Sequence, residues 1–183
     1  MPTALVPIAE GCEEIEAVII IDTLRRAGWT VVSAGLEEGP VTCSRGVRIV
    51  PDARWSDVDV SACDLLVLPG GGPGTEALRR DPRVLEAIRV FDAQQKTIAA
   101  VCAAPLVLQE AGILDGREVT CHPSVADNLT VGRHVDRAVV ADGNLVTSQG
   151  PGTAFAFALT LIARVDGEDK AEAIRRAMVL ALP

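Results

Sequence analysis

The chain has 183 residues, 49% of them apolar and only 3% aromatic, and it carries a formal charge of −8. That length suits one domain, residues 1–183, with a full hydrophobic core, and the acidic balance argues against a protein that grips a phosphate backbone. No apolar run reaches the roughly 18 residues of a membrane helix, and the start, Met1-Pro-Thr-Ala-Leu5, lacks the basic segment that opens a signal peptide.

Ala4–Ala9 reads as a short apolar strand, and Pro7 within it predicts a strand end or an edge position. Glu13–Ala27 reads as a helix with acids in its first turn, Arg25 and Arg26 in its last, and Gly28 as its stop. Its apolar residues form two stripes, one with Ile15, Val18 and Ile19, the other with Ala17, Ile20, Ile21 and Leu24. One stripe can pack on a sheet; the second needs a subunit interface or a covering loop. Thr30–Ala34 is the second strand, and Val41–Ser44 with Val47–Val50 forms a small hairpin or excursion.

Asp64–Pro69 is a buried strand that ends in the turn Pro69-Gly-Gly-Gly-Pro-Gly-Thr75, which opens a helix. Pro82–Gln94 is a helix with proline near its first turn. Strand Thr97–Val101 is followed at once by Cys102 and a helix over Ala103–Ala111, stopped by Gly112. Val119–Pro123 contains a short strand ending at His122. Asp142-Gly143 turns a hairpin between Ala138–Val140 and Asn144–Thr147. Helices over Gly152–Ala163 and Glu168–Leu180 complete the chain. Strands alternating with helices predict an α/β three-layer sandwich with a mostly parallel central sheet.

The feature with the most chemical content is Cys102. A nucleophile on a tight strand-to-helix turn is presented at the top of a sheet with backbone N–H groups beside it. The competing reading is a buried cysteine that fills space. A cysteine nucleophile needs a base or a field that favours thiolate. His122 occupies a strand end, where active groups of parallel sheets gather, or else serves packing; His134 reads as a solvated loop residue. Glu16 shares a helix stripe with Ile20, Thr23 and Ala27. A carboxyl buried there tends to hold its proton, and in that form it donates a hydrogen bond to a thiolate and lowers the thiol pKa.

The amides of the turn at Gly70–Gly72 suit an oxyanion site beside Cys102, or the turn is simply tight. Gly72-Pro-Gly-Thr-Glu-Ala77 fits a relaxed dinucleotide pattern, but no acid follows at the end of the next strand to hold a ribose. Gly150-Pro-Gly-Thr153 reads as shaping a helix entry. The five cysteines, with no CxxC, and the two histidines show no metal-ligand spacing. An odd set of cysteines without a signal peptide points to reduced thiols in a cytoplasm.

Glu13-Glu-Ile-Glu16, Arg25-Arg-Ala-Gly28, Cys43-Ser-Arg45, Leu68-Pro-Gly-Gly71, Ala100-Val-Cys-Ala-Ala-Pro105, Thr120-Cys-His-Pro123 and Thr147-Ser-Gln-Gly-Pro-Gly-Thr153 are weak one by one and specific in this order. Together they resemble the ThiJ/PfpI superfamily, in the subgroup of the Parkinson-disease-associated deglycase and its bacterial relatives. The resemblance implies a flavodoxin-like sandwich, a homodimer and no cofactor. It implies Cys102 as elbow cysteine, Glu16 as partner carboxyl, His122 as nearby histidine, and Gly71 and Ala103 as the amides facing the thiolate. Asp22, Arg26 and Arg45 fall where relatives have interface or pocket-rim groups. Pro123-Ser124 lacks the carboxylate of glutamine amidotransferases, and Ala103 replaces the histidine of the protease-like subgroup.

The expected function is cysteine-dependent conversion of 2-oxoaldehydes such as methylglyoxal or glyoxal, or of early glycation adducts. The alternative from another class is an oxidative-stress-responsive protective protein or chaperone in which Cys102 is oxidised rather than turned over. A third reading is a structural α/β module with an inert cysteine.

Overall fold

The computed structural model describes residues 1–181. The first half of the chain forms β1 (Thr3–Ile8), α1 (Glu14–Arg26), β2 (Thr30–Gly35), β3 (Val41–Thr42), β4 (Arg48–Ile49), β5 (Ala53–Arg54), β6 (Leu65–Leu68), α2 (Gly72–Arg80) and α3 (Pro82–Ala93). The second half forms β7 (Thr97–Val101), α4 (Pro105–Ala111), β8 (Glu118–Val119), β9 (Arg133–His134), β10 (Val139–Asp142), β11 (Leu145–Ser148), α5 (Ala154–Asp166) and α6 (Glu168–Ala177).

Seven strands make the central sheet in the order β10-β11-β7-β6-β1-β2-β5. All its pairings are parallel except β10 with β11, the hairpin turned at Asp142-Gly143. Alternate residues of the strands feed two separate cores, as a period of two requires. Ala4, Val6, Leu65, Val67, Ala99 and Val101 pack with Ile20 and Leu24 of α1, Phe157 and Leu161 of α5 and Ile174 of α6. Leu5, Leu66, Leu68, Ile98 and Ala100 face Leu78 of α2, Ile88 and Phe91 of α3 and Val107 of α4. Both sheet faces are therefore covered, and the strand ends are left to carry chemistry. No helix among the described residues is long and apolar enough to cross a membrane.

Two expectations differ, and a third is decided between its alternatives. β1 is an interior strand, between β2 and β6, and Pro7 is its penultimate residue, so Pro7 marks a strand end and not an edge. Pro7 is tolerated because the β6 register covers only Ala4 and Leu5, so the missing N–H falls beyond that ladder. The strand over Val119–Pro123 shrinks to β8, which pairs in parallel with β9 outside the central sheet and makes His134 part of a short strand. Past Val119 the Thr120 amide donates to the Thr147 hydroxyl at 2.9 Å, and Pro123 starts a 3₁₀ turn capped by His122. The helix after Cys102 begins at Pro105, because residues 102–104 are spent on the turn itself.

Candidate active site

β7 delivers Cys102 to the carboxyl edge of the sheet, and the chain there takes a conformation that side-chain-bearing residues rarely adopt, φ +64°. The backbone of Cys102 is clamped on both sides: its N–H donates to Ser148 O at 2.9 Å, and its carbonyl accepts from His122 N at 2.8 Å. This clamp sustains the strained turn and leaves the side chain half-buried, with the amides of Gly71 and Ala103 near enough to the sulfur to favour its thiolate.

Glu16 arrives from α1. The helix starts where the Glu13 side chain accepts from Glu16 N at 2.7 Å, and its inward stripe, with Ile20, Thr23 and Ala27, is buried. Glu16 itself is 0% exposed. Gly70 N donates to its Oε2 at 2.7 Å, while its Oε1 has no hydrogen-bond partner among the described residues. An orphaned buried oxygen is costly unless a proton or ligand meets it.

Burial raises the Glu16 carboxyl to about 7. Burial, and the Glu16 charge beside it, push the Cys102 thiol up to about 12, against the pull of the Gly71 and Ala103 amides. This differs from the expected depressed thiol, because burial disfavours the thiolate and repulsion adds to it whenever the carboxyl is ionised. When Glu16 holds the proton the repulsion vanishes, while burial still opposes thiolate and the two amides still favour it. The two groups therefore titrate as a coupled pair.

Two glycines hold the pair together. A Cβ on Gly70 would fall 2.6 Å from Cys102 Cβ, 2.8 Å from Glu16 Oε2 and 2.9 Å from Val101 O. Gly70→Ala is expected to displace both the Cys102 and the Glu16 side chains and to change the rate at which Cys102 is alkylated by iodoacetamide, with the far-ultraviolet circular dichroism retained. A Cβ on Gly150 would lie 3.2 Å from His122 Cδ2 and 4.0 Å from Glu16 Oε1. The absence of that methyl leaves open the space into which the orphaned oxygen and the imidazole both face. The sequence marks both glycines as parts of turns, Gly70 for its amide and Gly150 for a helix entry, but not for the space they clear, because a missing side chain leaves no chemical signature.

His122 reaches this region through its loop and not through a sheet strand. Its Nδ1 lies 2.8 Å from Ser124 Oγ and accepts from Ser124 N at 3.2 Å, which leaves Nε2 to carry the ring proton. Gly71, at φ +91°, caps α2, and a Cβ there would strike Gly11 O. Gly74 likewise has no room for a Cβ, with Cys12 Cα 2.7 Å away, so the glycine-rich turn serves close packing of two loops. Asp22 and Arg26 pair with each other at 2.6 Å on the outer side of α1, and Arg45 is held through its backbone N–H, which donates to Glu14. The three are not part of the Cys102 cluster within this chain. A cavity of about 410 Å³ opens elsewhere, among Ile8, Leu36, Pro40, Arg80 and Arg83.

A model of the DJ-1/PfpI family matches residues 2–164. The chain is 41% identical over 182 residues to protein dj-1beta of Drosophila melanogaster, spanning 98% of this chain and 97% of that protein. It is 39% identical over 174 residues to the glutathione-independent glyoxalase DJR-1.2 of Caenorhabditis elegans, spanning 94% and 92%. The crystal structure of Drosophila melanogaster DJ-1beta superposes with a TM-score of 0.95 at 40% identity over 99% of each chain. Toxoplasma gondii DJ-1, oxidized, superposes with a TM-score of 0.95 at 38% identity over 100% of both.

Proposed function

The chain belongs to the DJ-1/PfpI family, and from that premise we propose that it is a cofactor-independent enzyme that converts 2-oxoaldehydes, or their early glycation adducts, to 2-hydroxy acids. The observation that carries this reading is the fully buried Glu16 carboxyl, with one oxygen unpartnered, beside a cysteine held at positive φ under two amide donors.

With methylglyoxal as substrate, the Cys102 sulfur adds to the aldehyde carbon while its proton passes to Glu16. The aldehyde oxygen becomes an oxyanion, stabilised by the amides of Gly71 and Ala103, and takes a proton to complete the hemithioacetal. Glu16 or His122 then removes the hydrogen from the sulfur-bearing carbon to give an enediolate. The hydroxyl proton passes from that carbon's oxygen to the former carbonyl oxygen, and a proton returns to the carbon that bore the carbonyl. The product is a thioester of lactate. Water cleaves it, restoring the thiol and releasing lactate. A carboxyl near 7 suits this work, since it takes and returns protons with similar ease at neutral pH. The test is lactate formed from methylglyoxal without glutathione; none from the wild-type protein sinks the reading.

The same reading takes the protein as a homodimer through α1 and the β3–β4 hairpin. Ile15 and Val18 are each 51% exposed, Val47 and Val50 are exposed, and Val18, Ile21, Ile49 and Val50 line one groove. Val18→Glu is expected to halve the mass seen by light scattering at micromolar concentration. An unchanged mass moves the interface elsewhere.

A further inference from the structure

Cys12 and Cys43 take no part in the chemistry above, yet their sulfurs meet. The Sγ–Sγ distance is 3.4 Å across 31 residues of sequence, and the two residues are 2% and 5% exposed. The backbone holds them side by side: Gly11 N donates to Thr42 O, and Ser44 N donates to Cys12 O, each at 2.8 Å. Carboxylates brace the flanks. Glu10 accepts from Thr42 N at 3.1 Å, and Glu14 accepts from Ser44 Oγ and from Arg45 N, each at 2.9 Å. The sulfurs need to approach by little more than about 1 Å to reach a bond length of ~2.05 Å. Among the described residues no third ligand joins them in a group that could hold a metal ion, so the chemistry open to the pair is that of two thiols.

We propose that Cys12 and Cys43 form a dithiol–disulfide couple, a second oxidisable site separate from Cys102, which ties the loop entering α1 to the β3–β4 hairpin. The oxidant class is a peroxide. The Cys43 sulfur, as thiolate, attacks one peroxide oxygen and becomes a sulfenic acid as the O–O bond breaks and the first water leaves. The Cys12 sulfur then displaces the sulfenic oxygen, which leaves as the second water, and the S–S bond forms. Two thiol hydrogens and two electrons are lost, and one peroxide is reduced to two waters. Either sulfur can donate in the contact between them, and Cys43, at 5% exposed against 2% for Cys12, is the more accessible to the peroxide and so takes the first attack. Burial pushes both thiols up, so the couple oxidises more slowly than an exposed low-pKa thiol and works as a crosslink rather than a rapid sensor.

The crosslink has a structural consequence at the active cluster. Glu13 N donates to Gly70 O at 2.9 Å, and the Gly11–Glu13 backbone leaves no space for a Cβ on Gly71. That loop is therefore the wall behind the amide that faces Cys102. Oxidation fastens it to the hairpin.

The test uses the full chain carrying Cys102→Ala, which removes the competing thiol and leaves four of the five cysteines. After hydrogen peroxide, the protein is unfolded in iodoacetamide and digested with trypsin. Two of the four thiols are expected to escape labelling. The peptide ending at Arg25 is expected to be joined to Ala27–Arg45, to weigh two hydrogens less than the separate pair, and to part on reduction with dithiothreitol. The folded oxidised protein is expected to melt several degrees above the reduced one. Cys43→Ser in the same background is expected to abolish both the link and the shift. Four labelled thiols after peroxide has oxidised the methionines, or a link involving Cys63 or Cys121, overturns the proposal. None of these readouts uses turnover, so they stand or fall apart from the proposed function.

Discussion

Cys102→Ala is expected to form no lactate from methylglyoxal in the absence of glutathione, a loss of about a thousandfold or more at equal protein concentration. The reasoning is local. The variant keeps the Gly71 and Ala103 amides and the Glu16 carboxyl, so it retains whatever polarisation those groups provide. It lacks the sulfur that must bond to the aldehyde carbon, and nothing else in the cluster is a nucleophile of comparable strength. Cys102→Ser is the sharper control, because it preserves shape and a hydrogen-bonding atom while removing the thiol. Lactate from wild type and from Cys102→Ala alike moves the chemistry to another residue. Lactate from neither transfers the protein to the oxidation-sensing reading, for which graded peroxide is expected to add two oxygens at Cys102 selectively. Its half-buried thiol and the two amides facing it are compatible with that outcome as well.

Glu16→Gln is the second large effect, and it separates catalysis from stability. Glutamine retains the shape and a donor but carries no exchangeable acid proton, so turnover is expected to fall by about 10²–10⁴-fold. The rise of kcat/KM through pH 7, set in the wild type by a carboxyl near that value, is expected to disappear. The two coupled titrations of wild type are expected to collapse to a single thiol step in the ultraviolet absorbance of the thiolate.

Stability moves the other way. Folded Glu16 keeps its proton to about pH 7, against 4.5 for an unperturbed glutamate. Below the lower value both states are protonated and the buried carboxyl carries no ionisation penalty. Between the two values the unfolded chain has released the proton and the folded chain has not, so the folded state loses stability as pH rises. The loss reaches about 3 kcal/mol above the folded pKa. Glutamine has no such term. Denaturant melts at pH 4 and pH 8 are therefore expected to show Glu16→Gln gaining on wild type at the higher pH. Parallel pH slopes for the two proteins would falsify the buried, proton-holding role of Glu16.

The continuous apolar runs of β1, β6 and β7 and the inward stripe of α1 were legible because each is a local pattern within one element. Both follow from where a side chain must point on a strand or a helix, and they carry Glu16 and Cys102 to the sheet's carboxyl edge without reference to distant residues. Pro7 left a strand end and an edge both open for the opposite reason. Its meaning depends on how far the β6 ladder extends, which is a property of the partner strand. His122 was expected on a strand end, and it is a turn that brings it near Gly150, because Thr120 bonds to a side chain instead of a ladder carbonyl.

By itself, then, the sequence determined the layered α/β architecture and which cysteine stands at the strand-to-helix turn, since hydrophobic period and turn chemistry act over a few neighbouring residues. Tertiary structure alone decided that Gly70 and Gly150 clear the space around Cys102, Glu16 and His122, and that Cys12 lies against Cys43. Those arrangements depend on the close approach of segments far apart in the chain, and backbone proximity without a Cβ, or contact between two sulfurs, leaves no periodic trace to read.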